Sequence, residues 1–212
     1  MIRQLFRRRS PSPKLQGSIP HGQRIYAIGD VHGRADLLET LLATIRHDDA
    51  ARGAAQSKII FLGDLVDRGP SSAQVVERAI EMAEGPWDCD FLLGNHEEVF
   101  LKAMGGDLKA LAFFIRIGGR ETILSYGISE QEYRDTDYSK LHTLLTQRVP
   151  AAHVAFLKEF KDLIEIGAHD LKRCRRTGRA FIRKIYCRGF PVPMKRRAVL
   201  ELEAMRLDVG EE

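Results

Sequence analysis

The sequence predicts an α/β protein whose chemistry is gathered at the carboxyl ends of successive strands. Three observations carry this. Short apolar runs alternate with stretches of helical periodicity, each of three such runs ends at a glycine, and each glycine opens a loop dense in Asp, His, Asn or Arg. With 212 residues and 44% hydrophobic content, the chain is long enough to bury about 70% of its unfolded surface around one core.

The elements follow in order. "RIYAIG" (24–29) reads as a short buried strand, and beyond Arg34 apolar residues recur at Leu37, Leu38, Leu41, Leu42 and Ile45, one face of a helix. "KIIFL" (58–62) is the second strand. Ser71 and Gln74 stand at capping-box spacing and open a helix that turns Val75, Val76, Ala79, Ile80 and Ala83 to one side. "CDFLL" (89–93) is the third strand, and helical pattern resumes through about Met104. A βαβαβ order of this kind stacks buried strands and packs helices over them. Gly29, Gly63 and Gly94 follow the three strands directly.

Charge divides the chain differently. Residues 1–29 carry six Lys/Arg and no acid, residues 30–168 carry fifteen against twenty-three, and residues 169–212 carry twelve against six, so segments of +6, −8 and +6 make up the net +4. An acidic body therefore has basic ends. We expect residues 1–22 to be a disordered basic arm, since Pro and Ser interrupt the charges and no aromatic platform accompanies them for stacking on bases. That argues against nucleic acid as a partner. No apolar run approaches the ~18 residues of a membrane span, and Cys89, Cys174 and Cys187 form no paired motif. A soluble, cytoplasmic protein in a reducing compartment is expected.

Neighbouring strands would bring the three loops "GDVHGR", "GDLVDRGP" and "GNHEE" to one crevice beyond the strand ends. Alone, an Asp after a strand is often a helix N-cap and a His a surface turn residue. Three such loops in order make one site. Asp30, His32, Asp64, Asn95 and His96 are oxygen and imidazole donors without a thiolate, which suits Mn²⁺, Fe or Zn²⁺. Asp30 and His32, two apart on extended chain, can reach one cation with Asp64. The second oxygen of Asp64 can bridge to a second cation, with Asn95 as a neutral ligand. Arg68 offers a planar fork for phosphate oxygens. His96 is left as general acid, with Asp67 on its other ring nitrogen to raise its pKa. Arg68, Asn95 and His96 make the phosphate-binding set, and glycines at 33, 63, 69 and 94 let the backbone turn sharply beside the ligand.

These loops resemble the three N-terminal signatures of the calcineurin-like metallophosphoesterases, of the phosphoprotein phosphatase type that includes bacterial Ser/Thr protein phosphatases and symmetrical diadenosine tetraphosphatases. The likeness covers roughly residues 24–167. It includes "GGRETILSYG" and "PAAHVAFLKEF", which resemble the helical insert of the bacterial branch. It implies a β-sandwich flanked by helices rather than a doubly wound single sheet. It implies two divalent metals, with Asp30, His32 and the bridging Asp64 on the first and Asn95 on the second, and attack by a metal-bound hydroxide without a phosphoenzyme. His96 matches the acid, Asp67 its partner and Arg68 the phosphate binder. The expected substrate is phosphoserine or phosphothreonine in proteins, or another small phosphorylated substrate; the alternatives are a symmetrical dinucleoside tetraphosphate, or a catalytically impaired remnant that binds metal or phosphate.

The resemblance stops near Gly167. The family continues with a "HAG"-like and a "GHT"-like motif whose histidines complete the second metal site, and neither occurs here. His169 is the one histidine beyond position 153, and it arrives before any expected strand. We expect residues 23–167 to form the N-terminal part of the family fold. Residues 168–212 are expected to be a divergent or frame-shifted basic tail, with helix pattern only over 194–207. On that expectation the second site is incomplete, turnover low and solubility poor, because half a sandwich leaves edges and apolar faces uncovered.

Overall fold

In β1 (Gln23–Ile28) and β2 (Gln56–Phe61) successive side chains point to opposite faces, and both faces are apolar. Tyr26, Ile28, Ile59 and Phe61 face one side, while Ile25, Ala27 and Ile60 face the other. A strand buried on both sides reads as a continuous apolar run, which is why these were visible in the sequence. The computed structural model describes residues 19–166 throughout, together with the backbone of three strands beyond them.

β1, β2 and β3 (Asp88–Phe91) pair in parallel, and the sheet order is β3-β2-β1-β7, where β7 is Ala204–Leu207. α1 (Ala35–Ala50) and α2 (Ser72–Glu84) are the crossover helices. They bury Leu38, Leu42 and Ile45 and, from α2, Val75, Val76, Ala79 and Met82. α3 (Asn95–Met104) follows β3, as the periodicity predicts. The helical insert comprises α4 (Leu108–Phe114), a π-helical turn (Ile115–Gly119), α5 (Arg120–Ser125), α6 (Glu130–Arg134), α7 (Tyr138–Arg148) and α8 (Ala151–Lys158). A ladder of rings joins it to the sheet: Phe91 stacks on Phe61 at 4.9 Å and on Phe160 at 5.1 Å, and Phe156 meets it edge-on. Stacked and edge-on pairs at these separations each add about 0.5–1.5 kcal/mol beyond burial.

The opposite face of the sheet carries a smaller cluster. Leu62, Leu92, Ile164 and Ile166 pack there against Ile25, Ala27 and Ile60. Ile164 and Ile166 come from β4 (Leu163–Ile166), which opens a second, antiparallel sheet with β5 (His169–Arg173) and β6 (Ala180–Phe181) in the order β4-β5-β6. Two sheets with helices over the outer face of one are thus present.

The structure corrects three local expectations. Ser71 is the residue before α2, but its side chain caps nothing; the Ser71–Gln74 box does not form, and Met82 rather than Ala83 is buried. Residues 204–207, expected as the end of a helix, form β7 antiparallel to β1, with Ile25 opposite Leu207 and Ile28 opposite Ala204. The edge of β1 supplies backbone partners to residues 204–207, and such pairing overrides local helical periodicity. His169 does not precede a strand but opens β5, opposite Ile166. The expected arm up to residue 18, and the expected helix over 194–203, lie outside the described residues.

Candidate metal centre

The three loops after β1, β2 and β3 meet backbone to backbone. The N–H groups of Val31 and His32 both donate to the carbonyl of Asp64, at 3.0 and 2.9 Å, and Gly33 N–H donates to Leu65 O at 2.8 Å. A Cβ added to Gly63, whose φ is +94°, would stand 2.6 Å from the Gly94 Cα, so a side chain there would force the second and third loops apart. Four non-glycine residues among those described have positive φ: His32 (46°), Asp64 (56°), Asp67 (76°) and Arg68 (67°). Left-handed backbone at such residues costs of order 1–3 kcal/mol each, and clusters of it mark functional sites held by their surroundings. All four belong to the predicted site.

What holds the second loop is Glu97, which is wholly buried. Its carboxylate accepts the N–H of Asp64 at 2.8 Å, of Leu65 at 2.7 Å and of Val66 at 3.2 Å. Burial, and then the nearby Asp64 carboxylate, push its pKa up to about 7, against the pull of those three donors. Asp64 in turn accepts the His96 N–H on Oδ1 at 3.2 Å. The loop and the start of α3 are thereby cross-tied in both directions.

His32 donates Nδ1–H to the Val66 carbonyl at 3.0 Å. That carbonyl can only accept, so the tautomer is fixed and the lone pair of Nε2 is turned into the site. Burial holds the His32 pKa below its ordinary value, which keeps that lone pair available. His32 Nε2 and Asn95 Oδ1 are buried and have no hydrogen-bond partner. Two orphaned buried atoms need a reason. Each is a lone pair that a cation would satisfy, and ligand atoms of His32, Asp64 and His96 lie within 4.8 Å of one another. The residues present therefore fit a divalent cation. Asp30 stands at the rim of this group, 58% exposed, with Oδ2 3.7 Å from His32 Nε2.

His96 is differently engaged. Its Nδ1–H donates to Asp67 Oδ2 at 2.6 Å, and its Nε2 accepts from Arg68 Nη2 at 3.3 Å. Burial alone would lower the His96 pKa, but the hydrogen bond to Asp67 and the carboxylates of Asp64 and Asp67 outweigh it, and the net direction is upward. The guanidinium already beside Nε2 makes that atom a poor place for a second cation, so His96 fits proton transfer better than ligation. Arg68 itself is exposed, with its backbone N–H bound to Gly118 O at 3.0 Å.

The structure brings together every residue that the sequence singled out, with Asp30 the most peripheral. It also adds three that sequence reasoning passed over: Glu97, Ser72 and Thr122. Glu97 lies inside the quoted "GNHEE", but its bonds go to backbone N–H groups more than thirty positions earlier, which no local pattern signals.

The sequence model of the calcineurin-like phosphoesterases matches residues 23–186, past the point where the motifs run out. Among curated proteins, a symmetrical bis(5'-nucleosyl)-tetraphosphatase of Bordetella pertussis is 43% identical over 82 residues, 39% of this chain and 27% of that protein. One of Paracidovorax citrulli is 30% identical over 138 residues, 63% of this chain and 44% of that protein. The chain thus spans less than half the length of these relatives. Among solved structures, a metallophosphoesterase from Sphaerobacter thermophilus has 20% identity and a TM-score of 0.38, covering 73% of this chain and 46% of that one. With its parallel sheet, flanking helices and strand-end loops, this chain belongs to the calcineurin-like phosphoesterase family.

Proposed function

We propose that this chain is a metal-dependent phosphoesterase acting on a dinucleoside polyphosphate, with phosphoprotein hydrolysis as the second reading. The observation that carries the metal-dependent part is the pair of orphaned buried lone pairs on His32 Nε2 and Asn95 Oδ1, with ligand atoms of His32, Asp64 and His96 within 4.8 Å of one another. The curated relatives, named as symmetrical tetraphosphatases, favour the dinucleotide. The second reading rests on the motif triplet, which protein phosphatases share.

Asp30, His32 and Asp64 would hold one divalent cation, and Asp64 with Asn95 a second. A cation so held acts as a Lewis acid on phosphoryl oxygens and acidifies water near neutral pH. Arg68 then binds the phosphoryl group through its fork. In leaving Nε2 of His96 to do so, it frees that nitrogen to carry a proton to the departing oxygen. Asp67, on Nδ1–H, keeps the ring in the tautomer and orientation that this transfer requires. Specificity between nucleotide and phosphopeptide lies in the walls around these loops, not in the loops.

With Mn²⁺ added, the chain should hydrolyse diadenosine tetraphosphate faster than a phosphothreonine peptide or an aryl phosphate. Asp64→Asn should abolish the activity on all three, and His96→Ala should lower it by roughly 10²–10⁴-fold on the dinucleotide and the peptide and least on the aryl phosphate. Equal rates in the variants would mean a contaminating enzyme, and preference for the peptide would install the second reading.

A further inference from the structure

Thr122 lies in the helical insert, in α5, fifty-five positions from Asp67 in sequence, and is fully buried. Its hydroxyl donates to Asp67 Oδ1 at 2.7 Å and accepts the Asp67 backbone N–H at 2.8 Å. Having spent its one proton on the carboxylate, it receives the hydroxyl of Ser72, 2.9 Å away, as a donor. Ser72 Oγ also accepts the Asp67 N–H, at 3.1 Å. One oxygen of Asp67 is thus held by Thr122, and the other holds His96 Nδ1–H at 2.6 Å.

A carboxylate gripped at a single oxygen can rotate about its own bond. Gripped at both, and with its backbone N–H bound to the same hydroxyl, Asp67 has one orientation. The insert is anchored for this purpose at two further points: Gly118 O accepts the N–H of Arg68 at 3.0 Å, and Ser125 Oγ accepts the N–H of Ala73 at 3.1 Å while donating to Thr122 O at 2.7 Å. Two consecutive turns of the insert, at Gly118 and Thr122, therefore contact the loop that carries Asp67 and Arg68, and the next, at Ser125, contacts the first turn of α2.

We propose that Thr122 is a positioning residue, which acts through Asp67 to fix the imidazole of His96 for proton transfer, so that the insert belongs to the catalytic machinery. This rests on the phosphoesterase reading, with His96 as acid. A geometric role of this kind is felt most where the leaving oxygen most needs a proton, and hardly at all in substrate binding.

The test compares Thr122→Val with Thr122→Ser in the full chain. With Mn²⁺, the valine variant should lower kcat at least about tenfold on a phosphomonoester with an alkyl leaving group and less than about threefold on an aryl phosphate with an acidic phenol, at unchanged KM. The serine variant should restore kcat to within about twofold, because it keeps the hydroxyl. Equal losses on both esters, a loss confined to KM, or a serine variant no better than valine would overturn the proposal. A second measurement needs no turnover: the His96 Nδ1–H proton should give a slowly exchanging low-field resonance in the wild-type and serine proteins and lose it in the valine protein. Its persistence with valine also overturns the proposal. If the wild-type chain hydrolyses neither ester, the phosphoesterase reading fails while the resonance still decides on Thr122. Should the valine variant not fold, Thr122→Ala provides the same comparison.

Discussion

The strand-end loops and the helical insert reach the same buried cluster by opposite routes. The loops get there by adjacency: parallel pairing of β1, β2 and β3 sets their carboxyl ends side by side, so the loops that carry residues 30, 64 and 95 start from neighbouring positions. The insert gets there by packing, through Phe114 and Tyr126 stacked on Phe100 of α3 and a few polar contacts at its tip. The difference teaches that the groups proposed to touch substrate can be encoded in short motifs, whereas the groups that hold them in place are encoded at long range.

The largest effect that separates the two regions is expected in the loops. His96→Ala should reduce kcat by roughly 10²–10⁴-fold, the usual worth of a general acid, and leave the melting temperature close to wild type; a large thermal shift with modest kinetic loss would make His96 a structural residue. In the insert the order should reverse. Phe114→Ala opens a cavity against Phe100 and should cost about 3–5 kcal/mol in a denaturant titration. Recovery of full activity at low temperature in that variant would show that the insert's core is needed for stability alone. Glu97→Gln probes the tie between the loops. The amide's NH₂ would face backbone N–H groups and leave at least one of them unpaired, a loss of about 1–3 kcal/mol. Unchanged stability would show that the loop holds its left-handed backbone without Glu97.

The smallest effect lies away from the site, at Asp90 within β3. Burial alone would raise the Asp90 carboxyl, but hydrogen bonds from Lys161 and Lys58 outweigh it and hold it below the usual range. A depressed carboxylate contributes stability that is present above its unfolded value, near 3.9, and is lost as pH falls through the folded one. Asp90→Asn should therefore cost below about 1 kcal/mol at neutral pH. The difference from wild type should shrink in acid; a difference that grows there would reverse the assigned sign.

Much of the site was legible because Asp30, His32, Asp64, Asp67, Arg68, Asn95 and His96 fall within a few residues of strand ends that are themselves marked by continuous apolar runs. The helices of the first half were legible for the same reason of period. Thr122 was not, since its partner is fifty-five residues away and a Thr in a helix has many ordinary uses. β7 was not, because "AMRL" becomes a strand only by lying along the edge of β1, a contact between the two ends of the chain. The unformed Ser71 cap shows the limit of local spacing: Ser71 uses its backbone N–H on Gly33 O at 2.9 Å instead, and the loop geometry takes precedence over the cap.

The central claim is that the strand-end loops hold a divalent cation through Asp64, with three protein ligands on one side and, among the described residues, only Asn95 beside Asp64 on the other. Calorimetric titration of the full chain with Mn²⁺ tests it most directly. One tight site per chain, lost in Asp64→Asn, with any further binding much weaker, is the predicted result. Two equally tight sites, or a tight site that survives Asp64→Asn, would contradict it.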